Sequence, residues 1–273
     1  MQCVSSAFSS SGALNPSDGK WRKRHKMKTY GIIGMPLAHS CSPAYFNEKF
    51  KREGIEAEYL RFEWQEIGEL PALLDRCPTL KGLNVTIPHK QHILPFLDEI
   101  SPEATAIGAV NCVKVTTRRG KPYLIGYNTD MDGFRKAVAA FIPSSLSKAL
   151  ILGNGGAAKA VRYALCSLGV ETLTVSRHPQ TPTTIGYPDL PPLLADHRLL
   201  VNTTPLGTFP HPAACPDLPY ALLSPDHYLF DLVYNPPLTE FMKRGIAAHA
   251  HACNGQQMWQ EQADRSWEIW QQD

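Results

Sequence analysis

The chain has 273 residues, of which 43% are hydrophobic and 19% charged, with a formal net charge of +2; a chain of this size buries roughly three quarters of its unfolded surface, and its ordinary apolar fraction excludes general disorder. No window approaches the ~18 consecutive apolar residues of a membrane span, compact runs such as Ala137 to Ile142 being far shorter. The positive charge is concentrated in residues 1–26, where Lys20, Arg22, Lys23, Arg24 and Lys26 face Asp18 alone, so the remaining chain is net acidic, which argues against a broad nucleic-acid footprint.

That basic segment is Ser-rich and lacks the apolar stretch of a secretory signal, while Met27 stands directly before the first strand-like run. Residues 1–26 are therefore expected to be a disordered or over-called extension, with a transit peptide as the alternative. Thr29 to Gly34 reads as a short buried strand. Ser42-Pro43 then opens a helix through about Glu53, with Ser at the cap and Pro in the first turn. A strand over Ala57 to Phe62, a helix near Glu66 to Leu74 and a strand over Gly82 to Ile87 follow. Ala109 to Thr116 and Tyr123 to Tyr127 are β-rich runs separated by a hairpin signal at Arg118 to Pro122. Asp130 to Ala140 reads as a connecting helix, and Pro143 to Ser145 as a linker.

The strand Ala149 to Leu152 runs into Gly153-Asn-Gly-Gly-Ala-Ala158, followed by a helix whose apolar residues Ala157, Ala160, Val161, Ala164, Leu165 and Leu168 recur at helical spacing. Further strands are expected at Thr172 to Ser176, Leu199 to Val201, Leu229 to Leu232 and Ala247 to Ala250. Thr181 to Pro192 reads as a loop with one short helix. Gly255 to Trp270 is a last helix whose Trp259, Ala263, Trp267 and Trp270 form an apolar face that must dock. Such alternation of strands and helices implies an α/β fold with a mainly parallel sheet.

The seven cysteines are odd in number and include no Cys-x-x-Cys pair, which favours reduced cytoplasmic thiols over a disulfide framework. His249, His251 and Cys253 alternate in an Ala-rich run, the pattern of a final strand in preference to a metal site. His89 and His92 can share a helical face but lack a third ligand; they are expected at the surface or at the rim of a site, and no metal is expected.

Gly-x-Gly-x-x-Ala between a strand and a helix is the dinucleotide-binding pattern. Gly153 permits the tight turn, Gly155 lets the backbone approach a pyrophosphate, and the helix N-terminus offers unpaired N–H groups to its charge. A glycine-rich turn without a ligand is the plainer alternative. The following strand ends in Val175-Ser-Arg-His178 with no acid to take a ribose diol, and Arg177 can pair with a 2′-phosphate, so NADP is favoured over NAD. An ordinary surface arginine is the competing reading.

Three stretches in the first half also look unlike packing. His39-Ser-Cys-Ser-Pro43 sets two hydroxyls at a helix N-terminus, suited to an anionic group. Asn84-Val-Thr-Ile-Pro-His-Lys90 is a strand whose alternation puts Asn84 and Thr86 on one face and which ends by presenting Lys90. Asn128-Thr-Asp130 opens the connecting helix, where the plain role of Asp130 is an N-cap.

Together with the glycine loop and in this order, these stretches resemble the shikimate dehydrogenase family from about Lys28 onward. The matching segments also include Ile107-Gly-Ala-Val-Asn111, Asn202-Thr-Thr-Pro-Leu-Gly207, Asp231-Leu-Val-Tyr-Asn-Pro236 and Gly255-Gln-Gln-Met-Trp-Gln-Glu-Gln262. The resemblance implies NADPH-dependent reduction of 3-dehydroshikimate to shikimate in aromatic amino-acid biosynthesis, with a cleft between two domains that closes on ligand. It implies a substrate domain over 27–130, a Rossmann-like NADP-binding domain over 131–252, and a C-terminal helix, 253–273, returning to the substrate domain.

The roles that the resemblance implies fall on matching positions. Ser40, Ser42 and Tyr234 would hold the substrate carboxylate, and Asn84, Thr86, Asn111 and Gln262 would lie near its ring hydroxyls. Lys90 and Asp130 would be the catalytic pair. Gly153, Asn154, Gly155, Gly156, Ala157, Ser176, Arg177, Thr204, Leu232 and Gly255 would meet NADP. Trp259 stands where Leu is usual, His89 where an aromatic is common, and Ser176 where Asn often precedes the Arg.

An ordinary lysine holds its proton at neutral pH, and a nearby carboxylate holds it more tightly, so Lys90 and Asp130 are read as one coupled unit at the reacting oxygen. Two alternatives stand beside this reading: a quinate/shikimate dehydrogenase preferring NAD, and a non-catalytic dinucleotide-binding regulatory paralogue, against which the presence of both Lys90 and Asp130 speaks. A cytoplasmic monomer or homodimer acting on a small molecule, away from nucleic acid and membrane, is expected.

Overall fold

A computed structural model describes residues 27–179 and 183–272, so the basic segment 1–26 and residues 180–182 of the Pro-rich stretch lie outside the described residues. The described chain divides into two compact units, residues 27–98 with 113–125, and residues 99–112 with 126–272.

In the first unit, β1 (Lys28–Gly34) is buried at every residue but the first and pairs in parallel with β2 (Ala57–Glu63) on one side and β3 (Leu80–Val85) on the other. A strand covered on both faces needs a continuous apolar and glycine run, which Tyr30 to Gly34 supply. Between β1 and β2, α1 (Ser42–Glu53) buries Phe46 and Phe50, one turn apart, and ends at Gly54 in the left-handed region. The Phe46 ring stacks on Tyr59 of β2 at 4.7 Å, which fixes α1 against the sheet. A 3₁₀ turn at Ile67–Glu69 leads into α2 (Leu70–Arg76).

Two strands follow around the expected hairpin, β5 (Cys112–Arg118) and β6 (Lys121–Tyr127); β4 (Glu99–Ile100) and α3 (Pro102–Ile107) precede them. The sheet order is β2-β1-β3-β5-β6-β4. Arg119 and Gly120 both take positive φ, the backbone that a two-residue hairpin turn requires.

The second unit carries α4 (Thr129–Phe141), β7 (Lys148–Leu152), α5 (Gly156–Ser167), β8 (Glu171–Val175), β9 (Thr184–Ile185), β10 (Leu199–Asn202), β11 (Tyr228–Asp231), α6 (Glu240–Ala247), β12 (His251–Cys253) and α7 (Gln256–Gln271). Its sheet has the order β12-β11-β10-β7-β8-β9, with every neighbouring pair parallel. The chain enters at the centre on β7, winds outward through β8 and β9, and returns to build β10, β11 and β12 on the other side. That is a doubly wound sheet, with its topological switch between β7 and β10. Ala149, Ile151, Leu199, Val201 and Phe230 lie in its core, and Phe134 of α4 meets Phe230 edge-on at 5.0 Å.

Four expectations are corrected. The strand expected at Ala247 to Ala250 is the end of α6 and a turn; Thr239 caps that helix by accepting from the Met242 N–H, and His249 then takes φ of 63° before β12 begins at His251. Alanine is the best helix former and is depleted in strands, so the Ala-rich run extends the helix that the Thr239 cap begins. Ser42 is the first helical residue of α1, not its cap: Cys41 occupies the cap position without a side-chain capping bond. The cap of α4 is Asn128, which accepts from the Met131 N–H, so Asp130 is not spent on capping. The stretch after residue 182 forms β9 and two 3₁₀ turns, Tyr187–Asp189 and Pro191–Leu193, because its prolines allow only short helical pieces.

Candidate active site

In the first unit, the C-terminal ends of β1 and β3 carry the residues of interest. The Thr86 N–H donates to the Ile33 carbonyl at 2.9 Å, and the Met35 N–H to the Ile87 carbonyl at 2.9 Å, so the loop after β1 and the loop after β3 are laced together. Ser40 and Ser42 flank the start of α1, and neither hydroxyl bonds a described residue. The first N–H groups of a helix also lack intrahelical acceptors, so donors are concentrated here. Asn84 is buried on β3, its Oδ1 accepting from the Tyr59 hydroxyl at 2.7 Å.

Lys90 is half-buried in the turn that follows β3. That turn is closed by the His89 N–H on the Thr86 carbonyl at 2.8 Å and the Ile93 N–H on the His89 carbonyl at 3.0 Å. His89, expected at the surface or a rim, is instead buried, its Nε2 2.9 Å from the Trp64 carbonyl. A carbonyl only accepts, so Nε2 carries the proton and the ring anchors the Lys90 turn.

In the second unit, Asn111 organises the start of α4. Its Oδ1 accepts from the Thr129 N–H at 2.6 Å, and its Nδ2 donates to Asp130 Oδ1 at 2.9 Å and to Thr129 Oγ1 at 3.0 Å. Thr129 Oγ1 also lies 3.1 Å from Ser266 Oγ on α7. Gln262, one turn before Ser266, donates from Nε2 to the Trp259 carbonyl at 2.9 Å, and the Trp259 ring lies 5.6 Å from that of Tyr234.

Asn111, Asp130, Gln262 and Tyr234 are thus brought into one neighbourhood. The crossing of α4 and α7 that allows it depends on Gly133: a Cβ there would stand 2.5 Å from the Met258 carbonyl oxygen and 2.9 Å from the Gln262 nitrogen. Sequence reading missed Thr129 and Ser266, both fully buried. A polar residue one turn from Gln262 on an apolar helix face was the available signal.

At the switch point, Gly153 turns with φ of 110°, its N–H donating to the Val175 carbonyl at 2.8 Å, and a Cβ there would lie 2.8 Å from Thr203 Oγ1. Gly155 is the cap residue of α5 and supplies no side-chain bond, and a Cβ built on it meets nothing within 4 Å. The open, uncapped helix end suits a pyrophosphate, with Asn154, Gly156 and Ala157 around it. Ser176 Oγ accepts from the His178 N–H at 3.2 Å, leaving Arg177 exposed at the tip of the turn.

Thr204 follows β10, and both its N–H and its hydroxyl donate to Asn202 Oδ1, at 3.1 and 2.6 Å. The Leu232 N–H donates to the Asn202 carbonyl at 2.9 Å, and the Gly255 N–H to the Val233 carbonyl at 3.2 Å. Beneath these loops Asp231 is fully buried, accepting from Thr239 Oγ1 at 2.6 Å, Asn202 Nδ2 at 2.9 Å and the Val233 N–H at 3.0 Å. Burial pushes its carboxyl up to about 6, against the opposing pull of these three donors. Burial likewise pushes the Cys112 and Cys253 thiols up to about 12, so both stay protonated and inert.

A doubly wound parallel sheet with an open glycine cradle at its switch point defines a dinucleotide-binding protein of the Rossmann class. The sequence model of the shikimate dehydrogenase substrate binding domain matches residues 32–113. A shikimate dehydrogenase (NADP(+)) from Carboxydothermus hydrogenoformans is 36% identical over 259 residues, covering 89% of this chain and 91% of its own. The crystal structure of shikimate 5-dehydrogenase from Thermus thermophilus in complex with NADP(H) and shikimate superposes with a TM-score of 0.77 at 34% identity, over 90% of this chain and 94% of that one. A quinate dehydrogenase from Corynebacterium glutamicum in complex with NAD gives a TM-score of 0.79 at 28% identity, over 90% of this chain and 94% of that one. The chain belongs to the shikimate dehydrogenase family.

Proposed function

We propose that the chain catalyses the reversible, NADPH-dependent reduction of 3-dehydroshikimate to shikimate. The observation that carries this reading is Asp130, spared from capping and oriented at 2.9 Å by Asn111, in a chain related along nine tenths of its length to NADP-dependent shikimate dehydrogenases. Residues 27–130 serve the substrate, residues 131–252 the cofactor, and residues 253–273 supply the helix that bears Gln262. The enzyme works in the cytoplasm as a monomer or homodimer; no helix among the described residues is long and apolar enough to cross a membrane.

NADPH, when bound, supplies the hydride. Gly153 to Ala157 hold its pyrophosphate at the start of α5, Ser176 shapes the turn that offers Arg177 to the 2′-phosphate, and Thr204, Leu232 and Gly255 line the remaining contacts. Ser40, Ser42 and Tyr234 hold the substrate carboxylate. Asn84, Thr86 and Gln262 meet the ring hydroxyls, and Asn111 has the further task of aiming Asp130. As negative charge develops on the ketone oxygen, Lys90 Nζ polarises it and passes it a proton, while Asp130 orients Lys90 and hydrogen-bonds the resulting hydroxyl.

A second reading, a quinate/shikimate dehydrogenase preferring NAD, draws support from the likeness to the quinate dehydrogenase and from Ser176 before the arginine. Absorbance at the nicotinamide band distinguishes them: shikimate with NADP gives the strongest signal on the main reading, quinate with NAD on the second. No signal with any combination would sink both.

A further inference from the structure

Arg61 lies near the C-terminal end of β2, opposite Ile32 of β1. Tyr59, two residues earlier on the same strand face, stacks on Phe46, so this face is the one covered by α1. The Arg61 side chain follows it there: Nη2 donates to the Ser40 carbonyl at 3.3 Å, while Nε is enclosed and meets no acceptor. No carboxylate pairs with this guanidinium among the described residues.

An arginine stays ionised in a protein, and enclosing part of a cation without an anion is unfavourable. The same spot holds two hydroxyls without partners, Ser40 and Ser42, and an α1 N-terminus whose cap residue, Cys41, makes no side-chain capping bond. The hydroxyls are neutral, so by themselves they replace only part of the hydration that a carboxylate gives up.

On the reading that the chain reduces 3-dehydroshikimate, we propose that Arg61 is a positioning residue for the substrate carboxylate. It pins the Ser40 carbonyl and thereby aims the two hydroxyls. Its uncompensated charge adds to that of the helix end, and the arriving carboxylate supplies the missing anion.

The test compares Arg61→Gln, which keeps a donor for the Ser40 carbonyl and removes the charge, with Arg61→Lys, which keeps the charge and loses the planar fork. KM for shikimate should rise about 10-fold or more in Arg61→Gln, with kcat and the KM for NADP little changed; Arg61→Lys should fall between it and the unaltered enzyme. The discriminating readout is the affinity ratio of shikimate to its methyl ester, measured as a competing ligand. Arg61→Gln should lose most of the preference for the acid, whereas a purely structural role would weaken acid and ester alike and overturn the proposal. If Arg61→Gln does not fold, the lysine variant decides: a retained preference for the acid supports the proposal and an abolished one overturns it. An unaltered enzyme inactive on shikimate would instead remove the functional reading beneath it.

Discussion

Asn202 donates its side-chain amide to the carboxylate of Asp231 at 2.9 Å, tying together the C-terminal ends of β10 and β11 where the loops bearing Thr204 and Leu232 begin. The pair gives the fold a specific acid dependence. The Asp231 carboxyl rises from its usual 3.8 to about 6, so between these values the folded chain keeps a proton that the unfolded chain has released. Its contribution to stability is full below about pH 4 and is lost as pH rises through 6, by about 3 kcal/mol. In Asp231→Asn that component should vanish. Urea unfolding from pH 4 to 7 checks this, and parallel stability curves for the two proteins would assign the titration elsewhere.

Asn111→Ala should strike both stability and turnover. It leaves the buried Thr129 N–H without its 2.6 Å acceptor and Asp130 without its 2.9 Å donor. The first loss costs about 1–3 kcal/mol. Turnover should fall about 10-fold or more as the carboxylate loses its aim. Denaturant midpoints and steady-state rates measure the two effects separately, and an unchanged kcat would detach Asn111 from the orientation of Asp130.

Gly133→Ala tests the helix crossing. The added methyl would press on backbone atoms of Met258 and Gln262, which have no rotamer to escape into. A destabilisation of about 1–3 kcal/mol is expected, together with a raised KM for shikimate as Gln262 shifts. Normal values of both would mean that α7 slides freely on α4.

Arg177→Ala should raise the KM for NADP by about 10-fold or more, the scale of a lost charge-assisted contact, while leaving the KM for NAD close to its starting value. Equal changes for the two cofactors would take the 2′-phosphate away from Arg177.

Lys90→Ala should lower kcat by roughly two to four orders of magnitude, the range of a lost general acid, with the dissociation constant of shikimate little changed. Calorimetry and turnover together check this, and near-normal turnover would remove Lys90 from the chemistry.

The parts of the fold legible in the sequence were those where the physical demand is local. Gly153 to Ala158 must turn, approach a phosphate and start a helix within six residues, and each demand leaves a mark on residue type. The alternation of strands and helices likewise exposed a mainly parallel α/β sheet, whereas the doubly wound strand order emerges only from the structure. Long-range pairings left no such mark: Thr129 and Ser266 meet across 137 positions, and nothing near either forecasts the other. His89 was misplaced because a histidine in a polar stretch looks like a surface residue until the Trp64 carbonyl is brought to it. Ala247 to Ala250 misled for another reason: alternation in the run pointed to a strand, while the helix preference of alanine and the cap at Thr239, eight positions before Ala247, pointed to a helix.

The contact between Tyr234 and Trp259 has an optical consequence. Of the five tryptophans in the chain, Trp259 has its ring 5.6 Å from the Tyr234 ring and its carbonyl bonded to Gln262. Tyr234, assigned to the substrate carboxylate, therefore borders this indole, and Gln262 is tied to the same residue through its backbone. Emission from that indole is a built-in gauge of ligand arrival, readable by titrating shikimate without cofactor and silenced by Trp259→Phe.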